Sequence, residues 1–305
     1  MEVAVVIPVY NGERWIAESV ESILSQEGAA LEVVVVDDGS RDASVEILRG
    51  IPDERLRIVQ MGANVGLIGA LNAGIRETTA PFIARHDQDD IALPGRISAP
   101  LRLLKSSPEM ALVGTCATLV HDDGHVRRKK LSYPRSDVDI RFQMLFGNPF
   151  LHSATTFRRE ALALAGGYRV QPWGNFPEDY DLWTRLARVG TMANLEEPLV
   201  MYRQHDRGLS ATRQEEIRLG TLQVAERYFR QVGARHSSRS QYLNLVNALQ
   251  FGGGRDTLVG LGAEKLIFEL AGLSKASSPT EQDVSSMQLG RILARVSLAR
   301  FRRLL

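Results

Sequence analysis

LEVVVVDDGS, residues 31–40, decides the fold. Four consecutive valines make a strand with no polar face, and a strand that is apolar on both faces belongs inside an open α/β sheet, covered above and below. Asp37-Asp38-Gly39-Ser40 then turns the chain into a helix over residues 41–49. The same plan comes just before it. Val3 to Val9 is a short apolar run closed by Tyr10-Asn11-Gly12, and Trp15, Ile16, Ser19, Val20, Ile23 and Leu24 recur at helical spacing. The plan also continues beyond it, with RLRIVQ (55–60) as a third strand, Gly66 to Arg76 as a third helix and Pro81 to Arg85 as a fourth strand. Strands alternating with helices predict right-handed crossovers and a doubly wound, mostly parallel sheet.

Past residue 112 the rhythm changes. ALVGTCATLVHDDGHVRRKKLSY (111–133) reads as a strand, an Asp123-Gly124 turn and a returning strand, a hairpin rather than another crossover. Helices follow near 136–146 and 158–165, then the aromatic loop GGYRVQPWGNF (166–176), a helix in PEDYDLWTRLARVG (177–190) and a last strand in LVMYRQH (199–205). From residue 214 the pattern is helical, broken by Gly252-Gly253-Gly254 and by SKASSPTEQD (274–283). The expected organisation is a 1–112 half, a 113–213 half of the same domain, and a helical C-terminal extension over 214–305.

Composition narrows the function classes. The chain has 305 residues, 44% apolar and 24% charged, enough to bury a sizeable core. A net charge of +1 and 7% aromatic residues provide neither the basic field nor the stacking stripe of a nucleic-acid binder. Cys116 is the single cysteine, which excludes an internal disulfide and a thiolate zinc cluster and fits a reducing compartment. VAVVIPVY reads as a first strand rather than a signal peptide. No apolar run approaches the ~20 residues that span a bilayer.

The fourth strand runs into FIARHDQDDIALPGRI (82–97), which brings Asp87, Asp89 and Asp90 to the end of a core strand. In an extended segment Asp87 and Asp89 point to one side, roughly 6.5 Å apart, and repel by roughly 2–3 kcal/mol at an effective dielectric of about 20. A divalent cation removes that penalty, and Mg²⁺ or Mn²⁺ needs only one or two carboxylates, keeping its other positions for water and phosphate oxygens. The alternative is that these acids cap the next helix or solvate a loop, with Asp90 a turn residue. Strand one delivers PVYNG, strand two DDGS and strand four DQDD, three neighbouring strands whose polar ends face one rim, where open α/β sheets bind ligands. Neither a dinucleotide fingerprint nor a P-loop is present, so phosphate charge falls to the metal.

VVIPVYNGERWIAESVESILSQ (5–26), VVVVDDGSRD (33–42), NVGLIGALNAGI (64–75), FIARHDQDDIALPGRI (82–97) and GGYRVQPWGNFPEDYDLWTRLARVG (166–190) together resemble the successive blocks of family 2 inverting glycosyltransferases with the A-type fold. The resemblance covers about residues 3–213. It implies a nucleotide-diphospho-sugar donor, most often a UDP-sugar, bound with Mn²⁺ or Mg²⁺ and transferred with inversion. Carried over, Pro8, Tyr10 and Asp38 contact the nucleoside, Asn64 and Asn72 fall in the block bordering the nucleotide, Asp87 lies on the ribose and metal side, and Asp89 is the direct metal ligand. His205 returns near the diphosphate as a further metal ligand or phosphate contact, or is structural.

In PEDYD (177–181) the resemblance makes Asp179 the base that deprotonates an acceptor hydroxyl, with Glu178 holding the acceptor or orienting the base. As first-turn acids both residues also suit a helix dipole. Trp173 and Phe176 offer aromatic faces to a sugar or anchor a loop. His152 and Arg158 are acceptor-side candidates, while Arg85 and His86 receive no role. Pro100 places the start of its helix near Ser98, with the proline in the first turn. Processive members carry Gln-x-x-Arg-Trp and membrane spans; here QHDRG lacks the Trp, so a single addition is expected.

The tail QLGRILARVSLARFRRLL (288–305) gathers apolar residues largely on one side, with five arginines, Arg291, Arg295, Arg300, Arg302 and Arg303. It can lie on an anionic membrane near a lipid-linked acceptor, or pack on the domain or on a second subunit. The expected protein is a cytoplasmic enzyme, peripheral on the membrane if that tail binds lipid, acting on a glycan or lipid-linked acceptor in envelope or exopolysaccharide synthesis. The rivals are a sugar nucleotidyltransferase, whose Gly-rich, Arg-containing phosphate loop is missing, and a non-catalytic nucleotide-sugar-binding module.

Overall fold

Four strands, β1 (Val3–Val9), β2 (Leu31–Asp37), β3 (Leu56–Gln60) and β4 (Phe82–Arg85), stand side by side in the order β3-β2-β1-β4, all parallel. Between them run α1 (Ile16–Leu24), α2 (Ser44–Arg49) and α3 (Leu67–Arg76). The four valines divide as a doubly covered strand requires. Val33 and Val35 join Ile16, Val20, Ile23 and Leu48 on one face, while Val34 and Val36 pack with Ala70 and Ala73 of α3 on the other. Full burial stabilises each by roughly 1.5–3 kcal/mol. Gly74 lets α3 come down onto the sheet, because a Cβ there would stand 2.6 Å from Val6 and 2.9 Å from Val36.

The computed structural model describes residues 1–232 and 239–251. They form two units, one of Met1–Tyr133, Phe150–Val170 and Arg185–Thr212, the other of Pro134–Pro149, Gln171–Thr184 and the described residues from Arg213 on. The first unit holds the whole sheet. Beyond β4 come β5 (Ile91–Ala92), α4 (Ser98–Ser106), β6 (Met110–Val120), β7 (Val126–Leu131), β8 (Thr156–Arg158), α6 (Arg159–Ala165), β9 (Thr191–Arg203) and α8 (Leu209–Thr212). The sheet order is β3-β2-β1-β4-β8-β6-β9-β5, with β7 paired to β6. The predicted hairpin is present as the antiparallel β6–β7 pair, and α4 starts at Ser98 with Pro100 in its first turn. Besides the short edge strand β5, two features differ from the sequence reading. β8 inserts antiparallel between β4 and β6, and β9 begins eight residues before the expected strand at Leu199 and pairs parallel with β6 through irregular register.

The second unit is helical, built from α5 (Asp137–Gln143), most of α7 (Glu178–Leu186), α9 (Gln214–Gln231) and α10 (Arg239–Phe251). Ser136 caps α5 by accepting from the Asp139 amide. Phe229 and Tyr242 stack at 4.0 Å, and the Tyr242 hydroxyl, with one proton to give, lies within hydrogen-bond reach of the carbonyls of Leu145 and Ala225. The triple glycine, the Ser/Pro-rich segment and the basic tail all lie outside the described residues.

Candidate active site

The rim formed by β2, β1 and β4 is built from their carboxyl ends, where Val9 pairs with Asp37 and the Asp38 amide donates to the Val9 carbonyl at 2.8 Å. Pro8 is buried within β1, paired with Val36, whereas Tyr10 just beyond it is 44% exposed. The loop it begins is held firmly. Asn11 has a positive φ of 51°, its amide donates to Ser40 Oγ at 2.9 Å, and the Gly12 amide donates to Ser44 Oγ at 2.8 Å. Asp38, 4% exposed, accepts from the amides of Val65 and Gly66 at 2.7 and 2.9 Å. Those bonds close the 63–66 loop, with exposed Asn64, onto the turn at Gly39, where a Cβ would lie 3.0 Å from the Ala63–Asn64 peptide. Tyr10, Asp38 and Asn64 are therefore carried by interlocked loops of one rim, and each oxygen of Asp38 keeps a lone pair for a further donor. Asn72 is not part of it: its side chain brackets the backbone of Tyr168, accepting at 3.3 Å and donating at 2.9 Å.

The acids after β4 have three different environments, which corrects the expectation of two parallel side chains on an extended segment. β4 ends at Arg85 and the chain turns. Asp87 forms an ion pair with the buried Arg85, and its carbonyl accepts from Ser19 Oγ at 2.7 Å. Asp89 faces His205, with Oδ2 2.7 Å from Nε2. Asp90 is fully buried and accepts from the Arg203 amide at 2.9 Å. Burial, together with the charges of Asp89 and Asp87, drives its carboxyl well above the ordinary range. Asp87 is thus engaged by an arginine rather than aligned with Asp89. Among the described residues no group of three or more His, Cys, Asp or Glu is assembled to hold a metal; the expected trio of Asp87, Asp89 and His205 reduces to a pair.

That pair still fits a hard divalent ion. One carboxylate and one imidazole from separate strand ends leave the remaining positions to water and phosphate oxygens, the manner in which such ions are held at phosphate-transfer sites. The pair is braced on all sides. Trp15 lies against the His205 ring, centroids 4.4 Å apart. Arg203, its side chain 4% exposed, donates from Nε to the Asp89 carbonyl at 2.9 Å, from Nη1 to the Asp122 carbonyl at 2.8 Å and from Nη2 to Glu18 at 2.8 Å. Beneath them Arg96, fully buried, donates to the carbonyls of Arg85, Ser153 and Thr155 and to Thr156 Oγ1. Burial and the adjacent Arg85 lower its guanidinium to about 9. His86, equally buried, is pushed down to about 3 by burial and by Arg96 and Arg85, so it is neutral. Its Nε2 lies 3.2 Å from the Asp90 carbonyl, a contact that requires the proton on Nε2.

Sequence reasoning did not foresee Arg203, Arg96, Trp15 or the Arg85–Asp87 pair as supports. Arg203 is the last residue of β9, two before His205, and that spacing in LVMYRQH is the available signal. Of the acceptor-side candidates, His152 bonds the Tyr168 hydroxyl at 2.7 Å. Arg158 is corrected: it pairs with Phe82 at the start of β4, the end opposite the rim, and donates to the carbonyls of Leu104, Met110 and Ser107.

Glu178, Asp179 and Trp173 belong to the helical unit. Glu178 and Asp179 are 5% and 8% exposed. The Asp179 carboxylate accepts from Asn148 Nδ2 and from the Tyr180 amide, both at 2.6 Å. Asp181 is fully buried on Arg227 of α9. That arginine also donates to Gln171 at 3.2 Å and lies 5.5 Å from the centre of the Trp173 ring. α9 touches the same loop a second time at Gly220, where a Cβ would stand 1.9 Å from the Phe176 carbonyl oxygen. Neither Asn148 nor Arg227 carried a local sequence signal.

The Glycosyl transferase family 2 profile matches residues 4–164. The Amylovoran biosynthesis glycosyltransferase AmsE of Erwinia amylovora is 35% identical over 205 residues, covering 66% of this chain and 75% of its own. In fold the chain is similar to S. aureus TarS 1-349 in complex with UDP-GlcNAc (TM-score 0.63, 15% identity, 98% of this chain and 89% of that one). It is likewise similar to the mannosyltransferase PcManGT from Pyrobaculum calidifontis in complex with GDP-Man and Mn²⁺ (TM-score 0.58, 20% identity, 98% of this chain and 87% of that one). The chain belongs to glycosyltransferase family 2 and has the A-type nucleotide-diphospho-sugar transferase fold. It is accordingly a glycosyltransferase, which sets aside both rivals raised by the sequence. No helix among the described residues is long and apolar enough to cross a membrane.

Proposed function

We propose that the enzyme moves a sugar from a UDP-sugar to an acceptor glycan or lipid-linked glycan, with inversion, in the synthesis of an envelope or exported polysaccharide. The observation that carries this reading is the Asp89–His205 pair at 2.7 Å, in the same unit as the Tyr10, Asp38 and Asn64 loops. Tyr10 offers its exposed face to the base, Asp38 accepts from a base N–H, and Asp87 lies on the ribose side. Asp89 and His205 would hold Mn²⁺ or Mg²⁺, and the ion would supply positive charge to the departing diphosphate. Asp179 takes the proton of the acceptor hydroxyl as that oxygen bonds the anomeric carbon and the bond from the anomeric carbon to the diphosphate oxygen breaks, the electron pair leaving with UDP. Asn148 orients the Asp179 carboxylate through its 2.6 Å bond, and Glu178, with His152 and Trp173, serves the acceptor.

The family match, the AmsE relative with its amylovoran role and the nucleotide sugars held by the two fold neighbours support the reading. The enzyme works at the cytoplasmic face. The test is a thermal-shift screen of nucleoside diphosphates with Mn²⁺, Mg²⁺ or chelator, followed by donor turnover. UDP should stabilise the wild type in metal and lose that effect in Asp89→Ala. Asp179→Asn should retain the shift while transfer drops by about 10²-fold or more. Equal UDP binding by Asp89→Ala, or full transfer by Asp179→Asn, sinks the assignment.

A further inference from the structure

Resting on that donor-and-metal reading, we propose that Gln88, between Asp87 and Asp89, is a positioning residue that couples the cation turn to the nucleoside loop, so that an ion at Asp89 tightens the grip on the base. The side-chain amide of Gln88 meets both polar groups of one backbone residue 78 positions away. Its Oε1 accepts from the Tyr10 amide at 2.9 Å, and its Nε2 donates to the Tyr10 carbonyl at 3.4 Å. A strand neighbour makes the same pair of contacts, so Gln88 stands in for a missing strand beyond the end of β1 and fixes the backbone of Tyr10. The other side of the amide is occupied as well. A Cβ on Gly12 would come 2.8 Å from Oε1 and 3.1 Å from Cδ. The loop therefore lies directly on the Gln88 amide, in space that only glycine leaves open.

The near end of Gln88 is equally well set. Its neighbours are each anchored through the backbone, Asp87 by Ser19 Oγ at 2.7 Å and Asp89 by Arg203 Nε at 2.9 Å. The turn that presents the Asp89 carboxylate thus also fixes where the Gln88 side chain begins, and that side chain ends on Tyr10. The loop is also tied to Ser40, Arg41 and Ser44 on the β2 side and, through the Gly12 carbonyl, to the amides of Trp15 and Ile16 at the start of α1; Gln88 is the direct side-chain tie from the acidic turn to Tyr10 itself. Ordering of the acidic turn by a cation passes through Gln88 to the residue that faces the base, and by reciprocity nucleoside binding favours the ion.

Uridine provides the test because it has no phosphate with which to ligate the ion. Its affinity for the full-length protein is measured by calorimetry with saturating Mn²⁺ and in chelator, alongside UDP, for wild type, Gln88→Ala and the near-isosteric Gln88→Met. Guanosine and GDP are run in parallel. The residue is partly exposed, so both variants should fold, which melting checks. In the wild type Mn²⁺ should tighten uridine by about 3- to 10-fold, the worth of one or two hydrogen bonds. In both variants uridine should become indifferent to Mn²⁺, while UDP, which keeps its diphosphate, remains dependent on it. Variants that weaken uridine by one factor with and without Mn²⁺ reduce Gln88 to scaffolding and overturn the coupling, as does wild-type uridine binding that ignores Mn²⁺ while UDP responds. If wild type binds no nucleoside diphosphate in Mn²⁺, the donor reading itself has failed, and the coupling falls with it.

Discussion

Arg203→Met removes the arginine that ties the acidic turn to its surroundings, and the cost can be worked from its contacts. The side chain is 4% exposed and makes three hydrogen bonds, to the Asp89 carbonyl at 2.9 Å, the Asp122 carbonyl at 2.8 Å and Glu18 at 2.8 Å. A hydrogen bond from a charged donor is worth about 1.5–3 kcal/mol. Glu18 is 56% exposed, so its share is under about 1 kcal/mol. Methionine preserves the stem, and some of the loss is recovered when water reaches the orphaned carbonyls. The expected loss is about 3–5 kcal/mol for Arg203→Met. Arg203→Lys keeps a point charge but serves fewer acceptors, and should lose about 2 kcal/mol. Urea unfolding with an unchanged slope measures this, and a Mn²⁺ titration followed by Trp15 fluorescence reads the site. Because the arginine holds the backbone of Asp89, Mn²⁺ affinity should fall about tenfold in Arg203→Met, a 1.4 kcal/mol effect. A variant within 0.5 kcal/mol of wild type with unaltered Mn²⁺ affinity would refute the reasoning. Lost stability with intact Mn²⁺ binding would confine Arg203 to the fold.

Two further outcomes test the scaffold. His86, lowered from 6.5 to about 3 by burial and the two arginines, stays neutral in the folded state where the unfolded chain takes up a proton. The folded pKa is the depressed one, so stability is intact above pH 6.5 and falls as the pH drops toward 3, by about 1.4 kcal/mol per unit. Urea unfolding at pH 7 and pH 5 should therefore differ by about 2 kcal/mol more in wild type than in His86→Gln, and equal differences would show that His86 is not the group responsible. Gly220→Ala sets a helix-propensity gain of about 1 kcal/mol against a Cβ placed 1.9 Å from the Phe176 carbonyl oxygen and 2.8 Å from Pro177 Cδ. The clash is with backbone, so net destabilisation of about 1–3 kcal/mol is expected; a raised melting temperature would contradict the packing of α9 on that loop.

The parts legible in the sequence are those whose signal is local. The β1–α1–β2–α2–β3–α3–β4 run could be read because burial on both faces leaves uninterrupted apolar strands, and 3.6-residue periodicity marks the helices between. β8 and β5, three and two residues long, carry no period and exist through their partners. β9 was read short because Glu196, Glu197 and Pro198 interrupt its pattern, where the structure absorbs them as register irregularity against Cys116. The candidate site divides in the same way. The acids and His205 were visible as residue types in suggestive positions, whereas their partners arrive from across the chain: Arg203 lies 114 positions from Asp89, and no spacing rule encodes that. Arg158 misled because its segment was read by its order in the chain, while antiparallel β8 carries it away from the rim.

The physical reason for a cation also changes once the partners are known. On the sequence alone the ion relieves repulsion between two aligned aspartates. In the structure Arg85 already compensates Asp87, and Asp90, fully buried, turns an oxygen to the Arg203 amide rather than to the rim. Asp89 remains, with a histidine in place of a second acid. One carboxylate gives little net negative charge to neutralise, so under the proposed donor reading the ion would serve the ligand: a departing diphosphate would require positive charge, and Arg203 does not supply it. Arg203 spends its donors on two carbonyls and Glu18. A site with fewer fixed acids binds the bare ion weakly and binds the ion together with its diphosphate well. Mn²⁺ alone should therefore bind this enzyme far more weakly than Mn²⁺ with UDP present, by about 100-fold or more at two shared phosphate ligands. Calorimetric titration of Mn²⁺ with and without UDP measures this, and equal affinity in the two titrations would mean that the acids, not the ligand, create the site.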